Sequence, residues 1–173
     1  MGRDWQLESL TGIAARRVFN TRHDTIQIDL FDDWSGGTFE IAEPRLEINI
    51  ENSIGLPMKA RVQTAWIETV TGEKILFETS VPDAAFALNY PSVNQMGSSV
   101  NTTFIFDQNN SNFPDLLNAR PVSFAYILEY IFNPDDITDP GFISADSKIS
   151  ADMDLEIPAV GSVNDFIFEN EAI

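Results

Sequence analysis

Oily and polar residues alternate through most of this chain, and that period of two constrains the fold more than any other feature. The most regular case is KISADMDLEIP, residues 148–158: Ile149, Ala151, Met153, Leu155 and Ile157 fall on one side, and Ser150, Asp152, Asp154 and Glu156 on the other. Successive side chains of a strand point to opposite faces, so each such segment has one dry face and one wet one, the pattern of antiparallel sheets packed on one side. Ile26, Ile28 and Leu30 alternate with Gln27 and Asp29, and Leu46, Ile48 and Ile50 with Arg45, Glu47, Asn49 and Glu51. Met58, Ala60, Val62, Thr64 and Trp66 share one side of a later run, which predicts a core position for Trp66; Phe124, Tyr126, Leu128, Tyr130 and Phe132 share one side of another.

Turn residues punctuate these runs. Thr71-Gly72 reads as a hairpin turn, while Gly36-Gly37, Pro91 to Gly97, DQNNSN (107–112) and NPDDITDPG (133–141) read as loops. The pattern predicts strands at 25–32, 37–42, 44–52, 58–69, 73–79, 85–89, 99–107, 122–132, 147–157 and 162–168, with one short helix in NFPDLLNAR (112–120). About ten strands in 173 residues suit an all-β fold, a two-sheet antiparallel β-sandwich that is immunoglobulin-like in the broad sense. A chain of this length buries roughly 70% of its unfolded surface as one domain. Residues 23–173 are expected to form that domain, and 1–22 a tether or short helix carrying Leu7, Leu10, Ile13 and Ala14.

In NIENSIGLPMKARVQ (49–63) the alternation stops and then resumes with its parity intact. The Gly tolerates unusual dihedrals and the Pro cannot donate to a ladder, so pairing breaks there while the chain continues. Either a tight corner joins neighbouring strands, or a bend carries the chain from one sheet to the opposite one. Ile54 and Leu56 keep the connection apolar, as a segment crossing the edge of a core should be, which favours the crossing.

Charge excludes one class of partner. Twenty-seven acids against ten bases leave a net charge of −17, and residues 121–173 hold eleven acids against Lys148 alone. Nucleic-acid affinity comes largely from Lys and Arg displacing counterions, so no nucleic-acid partner is expected. With no cysteine there is no disulfide framework, thiolate nucleophile or Cys-rich zinc site. No run approaches the roughly 20 apolar residues of a membrane helix, and MGRDWQLESL has neither the basic-then-apolar start nor the cleavage site of a signal peptide. Either the protein is cytoplasmic or its export signal has been removed.

Catalytic signatures are sparse. His23 is the single histidine; it sits in NTRHDT beside Asp24, and adjacent residues of a strand point apart, so it reads as a surface or turn histidine rather than a general base. No G-x-S-x-G elbow, Walker loop, dinucleotide fingerprint or H-E-x-x-H motif occurs. Asp152, Asp154 and Glu156 have the spacing of a paired-carboxylate site, yet a wet strand face is where ordinary acids lie. The sequence therefore points away from an enzyme. Calcium is a better candidate: Asp135, Asp136 and Asp139 gather in NPDDITDPG with Asn133 nearby, and hard oxygen ligands are what Ca²⁺ takes, although the same residues build ordinary turns. No other cofactor is indicated. Trp34, in FDDWSGG, is the candidate for stacking on a sugar ring, or else a plug for one end of the sandwich.

PRLEINIENSIGLPMKARVQ (44–63) resembles the strand, Asn, short apolar loop with Pro, strand signature of late-embryogenesis-abundant type 14-like and related immunoglobulin-like domains. It is more similar still to the second half of β-sandwich lipoproteins of Bacteroidetes cell envelopes, and the similarity continues in SNFPDLLNARPVSFAYILEYIFNP, covering about residues 37–160. The resemblance implies a non-catalytic, extracytoplasmic domain of the periplasm or outer-membrane surface. This chain has no lipobox cysteine, so the resemblance does not extend to a lipid anchor. The expected role is a structural or protein-interaction module of the bacterial cell envelope. A carbohydrate-binding or calcium-binding module is the alternative, and a protein is the expected partner ahead of a glycan.

Overall fold

The structure, a computed structural model, describes residues 8–20, 23–32, 34–158 and 161–168, and the side chains of all of these except 34–39 and 161–168. In chain order the strands are β1 (Ser9–Gly12), β2 (Arg17–Asn20), β3 (Asp24–Gln27), β4 (Trp34–Ile41), β5 (Arg45–Asn52), β6 (Met58–Thr69), β7 (Lys74–Leu76), β8 (Ala85–Leu88), β9 (Val100–Phe106), β10 (Pro121–Phe132), β11 (Gly141–Ser144), β12 (Ile149–Glu156) and β13 (Gly161–Phe168). One short helix, α1 (Phe113–Asn118), precedes β10. Every strand pairing is antiparallel.

Two sheets make the sandwich. In one, β6 and β10 lie side by side; β2 and β3 pair with the far edge of β10, and β7 and β8 with the far edge of β6. The other runs β12-β5-β9. Met58, Ala60 and Leu88 of the first sheet pack against Ile50, Phe104 and Ile149 of the second. Aromatic rings carry the contact onward: Phe86 meets Phe104 and Phe106 edge to face, and Phe77 meets Phe106 and Phe124 in the same way. Such pairs add about 0.5–1.5 kcal/mol to the burial of their surface. A smaller cluster of Phe31, Ile41 and Leu117 seats α1 beside the end of β4.

The apolar interruption crosses between the sheets, because β5 belongs to one and β6 to the other. Asn52 is 0% exposed and shapes the departure: its Oδ1 accepts from Ile54 N at 2.8 Å and its Nδ2 donates to Asn89 O at 2.9 Å. Gly55 exchanges two backbone hydrogen bonds with Phe142, at 3.0 and 2.9 Å. A side chain there would run into the Phe142 ring, so this glycine supplies room rather than an unusual dihedral. At the hairpin after β6, by contrast, Gly72 does use its freedom, with φ of 79° and its N donating to Thr69 O at 2.9 Å.

Gly36-Gly37, expected as a loop, lies within β4, and three further expectations need correction. The first is the tether or short helix over 1–22: Ser9–Gly12 and Arg17–Asn20 are strands, paired with β11 and β10. Each is four residues long, too short for its own period to mark it, and each exists because a neighbouring strand offers an edge. The second is Trp66 as a core residue. The β6 register slips against β10, with Thr64 opposite Ile127 but Val62 opposite Leu128, so Gln63 bulges out of the ladder. Parity reverses at the bulge: Met58 and Ala60 are buried before it, Ala65 and Ile67 after it, and Trp66 turns to the outer face. The third concerns β12, where Ile149 packs into the core but Met153 and Leu155 are 46% and 41% exposed. The opposing sheet covers β12 only at its Ile149 end.

Candidate functional site

Asn133 organises the acidic loop after β10. This buried residue donates its Nδ2 to Ala14 O at 2.7 Å and Ile137 O at 2.9 Å, while its Oδ1 accepts from Ile137 N at 2.7 Å. Its own backbone N donates to Pro57 O at 2.7 Å. Asp135 pairs with Lys59 at 3.3 Å, and Asp136 and Asp139 face solvent. Among the described residues no group of three or more His, Cys, Asp or Glu is arranged to hold a metal, so Asp135, Asp136 and Asp139 are not brought together.

Trp34 opens β4 with Phe168 opposite, and its side chain lies outside the described residues. Trp66 offers no open shelf either: the His23 ring stacks on it at 5.2 Å and 13°, and the Lys74 ammonium sits 5.5 Å from its centroid. In DQNNSN the side chains of Asp107, Asn110, Ser111 and Asn112 are spent on backbone. Asn110 Nδ2 donates to Ile105 O at 2.7 Å, and Asn112 bridges Leu76 O and Glu78 N at 2.9 and 2.8 Å. Asp24 accepts from the Tyr126 hydroxyl at 3.2 Å. Burial first, and then this carboxylate, hold the Tyr126 phenol above its ordinary pKa; burial alone raises Tyr130.

Two features stand out among the described residues. Between β7 and β8 the edge of β6 lacks a ladder partner, and a shallow cavity of about 350 Å³ lies there, lined by Val62, Thr64, Leu76, Phe77, Glu78 and Thr79 among others. The other is the edge of β12. This strand pairs with β5 on one edge, from Ile149 opposite Asn52 to Glu156 opposite Arg45, and with no strand on the other edge among the described residues. On its inner face Met153 continues the row Phe104, Ile48, and Leu155 continues the row Phe106, Leu46. Burial fades along each row, from Phe106 in the core, through half-buried Leu46, to exposed Leu155. Ile157 extends the apolar series at 38% exposure. On the outer face Asp152 and Asp154 have no ion-pair partner among the described residues, and Arg45 lies between Glu47 at 3.0 Å and Glu156 at 3.8 Å.

Neither this edge nor its exposure follows from alternation, since a dry face looks the same whether or not a second layer covers it. One local signal was available: charges at every second residue are how edge strands discourage indiscriminate pairing. Beside the acidic loop, β1 and β11 present another exposed apolar pair, Leu10 opposite Ile143.

No protein-family model matches the chain, and no curated protein matches it. Two solved structures of infectious bursal disease virus, of the Gx and Gt strains, are similar to it over 87% of its length at 11% and 13% identity, each with a TM-score of 0.28. The chain spans 30% and 32% of those two viral chains, and the similarity is too slight to bear on fold or role. No helix among the described residues is long and apolar enough to cross a membrane.

Proposed function

We propose that this chain is a non-catalytic protein-interaction module, an immunoglobulin-like sandwich of the bacterial cell envelope that docks a partner along β12. The observation that carries this reading is the coincidence on one strand of an unpaired backbone edge and the exposed side chains of Met153, Leu155 and Ile157. Apolar side chains next to unmet N–H and C=O groups are what strand addition uses: main-chain bonds supply affinity and alternate side chains supply specificity. The exposed Leu10 and Ile143 beside the acidic loop also favour a protein over a cation. The envelope location is supported by the resemblance of residues 37–160 to sandwich lipoproteins.

The test is photo-crosslinking of the full chain in the cells that produce it. A benzophenone side chain at position 153 or 155 is expected to give discrete adducts, and the same group at Thr71, on the distant hairpin, none. Adducts of equal yield at all three positions, or at none, would sink the reading.

A further inference from the structure

Resting on that reading, we propose that the free edge of β12 accepts an extended segment of a partner protein in which basic and apolar residues alternate. The unpaired edge and the exposed apolar row make it a docking surface, and the charges choose the occupant. A strand added antiparallel to β12 sets its side chains directly opposite those of β12, on matching faces, with Cβ atoms about 4.5–5.5 Å apart. Its outer-face residues would stand against Asp152, Asp154 and Glu156, and its inner-face residues against Met153, Leu155 and Ile157. No cation among the described residues neutralises Asp152 or Asp154. Lys or Arg on the incoming strand would supply what this face lacks, and apolar residues between them would cover the exposed row.

The same geometry works against a second copy of this chain in registers centred on the acidic half of β12. A two-fold axis between antiparallel strands keeps like face against like face. Centred on Met153 it sets Asp152 against Asp154; centred on Asp154 it sets Asp154 against its equivalent and Asp152 against Glu156. Both of these registers place like charges directly opposite, and each copy brings a net charge of −17.

The experiment uses the full-length chain and synthetic peptides, with β12 amides followed by NMR and hydrogen exchange and affinity by titration calorimetry. The probe is an alternating Lys-Val heptapeptide; the controls are an alternating Glu-Val peptide, a Lys-block/Val-block peptide of the same composition, and the Lys-Val peptide N-methylated at alternate amides. The Lys-Val peptide is expected to bind, slow exchange of the alternate amides within 150–157 that point away from β5, and weaken with salt. Asp152→Lys with Asp154→Lys should cost it roughly tenfold in affinity and let the Glu-Val peptide bind in its place. Equal binding of the block or N-methylated peptide would overturn strand addition in favour of plain charge attraction. Absence of any response at 150–157 would overturn the proposal. So would a dimer in sedimentation that Met153→Asp dissolves, because the edge would then belong to a second copy. Crosslinking at position 153 without Lys-Val binding would leave the interaction module standing and remove the basic strand as its partner; failure of both removes both.

Discussion

Replacing Gly55 with Ala places one methyl group against the most closely packed point of the crossing between the sheets. The new carbon would overlap Cε1 and Cδ1 of Phe142 and lie 2.8 Å from Cζ, where carbon atoms in contact stand roughly 3.5–4.0 Å apart. The ring has little room to yield: Phe142 is 1% exposed, and its backbone is tied to Gly55 by hydrogen bonds of 3.0 and 2.9 Å. Overpacking of a tight core costs about 1–3 kcal/mol, and an overlap this deep belongs at about 3 kcal/mol. For a domain of this size that lowers the melting temperature by roughly 6–12 °C. Urea titration followed by circular dichroism measures it directly. Gly12→Ala is the control, since a methyl there meets nothing within 4 Å. Phe142→Ala should cost about 3–5 kcal/mol alone and clearly less in the Gly55→Ala background, because the methyl then fills part of the space the ring leaves. A Gly55→Ala protein as stable as the Gly12→Ala control, or additive effects in the double variant, would refute the argument that Gly55 is there for space.

Asn52→Ala leaves the Ile54 N–H and the Asn89 carbonyl without their buried partner, so a loss of about 2–4 kcal/mol is expected in the same titration; a cost under about 0.5 kcal/mol would mean that water replaces the amide. Asn133 has φ of 45°, so Asn133→Gly should lose only the side-chain bonds, and Asn133→Ala about 1 kcal/mol more for holding a left-handed backbone; equal losses would contradict this. Deleting Gln63 removes the bulge yet keeps Val62 opposite Leu128 and Thr64 opposite Ile127, so Ala65 and Ile67 stay inward and unfolding in urea should remain cooperative; loss of cooperativity would contradict Gln63 as the extra residue. Tyr126 and Tyr130 hold their protons to higher pH in the fold than the ordinary 10.0, so above about pH 10 the unfolded chain binds fewer protons and stability falls as pH rises. Asp24→Asn should bring the Tyr126 titration partway down in ultraviolet absorbance and leave Tyr130 unmoved.

Alternation and turn chemistry determined the all-β class, the strand over 58–69 at both of its ends, the short helix near Asn112 and the hairpin at Gly72, and favoured the apolar crossing after Asn52 over a tight corner. These are local: one strand's faces and one turn's dihedrals depend on residues a few positions apart. Tertiary structure alone decided that Gln63 bulges, that Trp66 lies outside beside His23, that β1 and β2 are strands, and that Met153 and Leu155 face water. A bulge is a mismatch between two strands, and a dry face is buried only where another layer reaches over it. For β12 the opposing sheet stops short, which leaves half of a core pattern as an exposed apolar row.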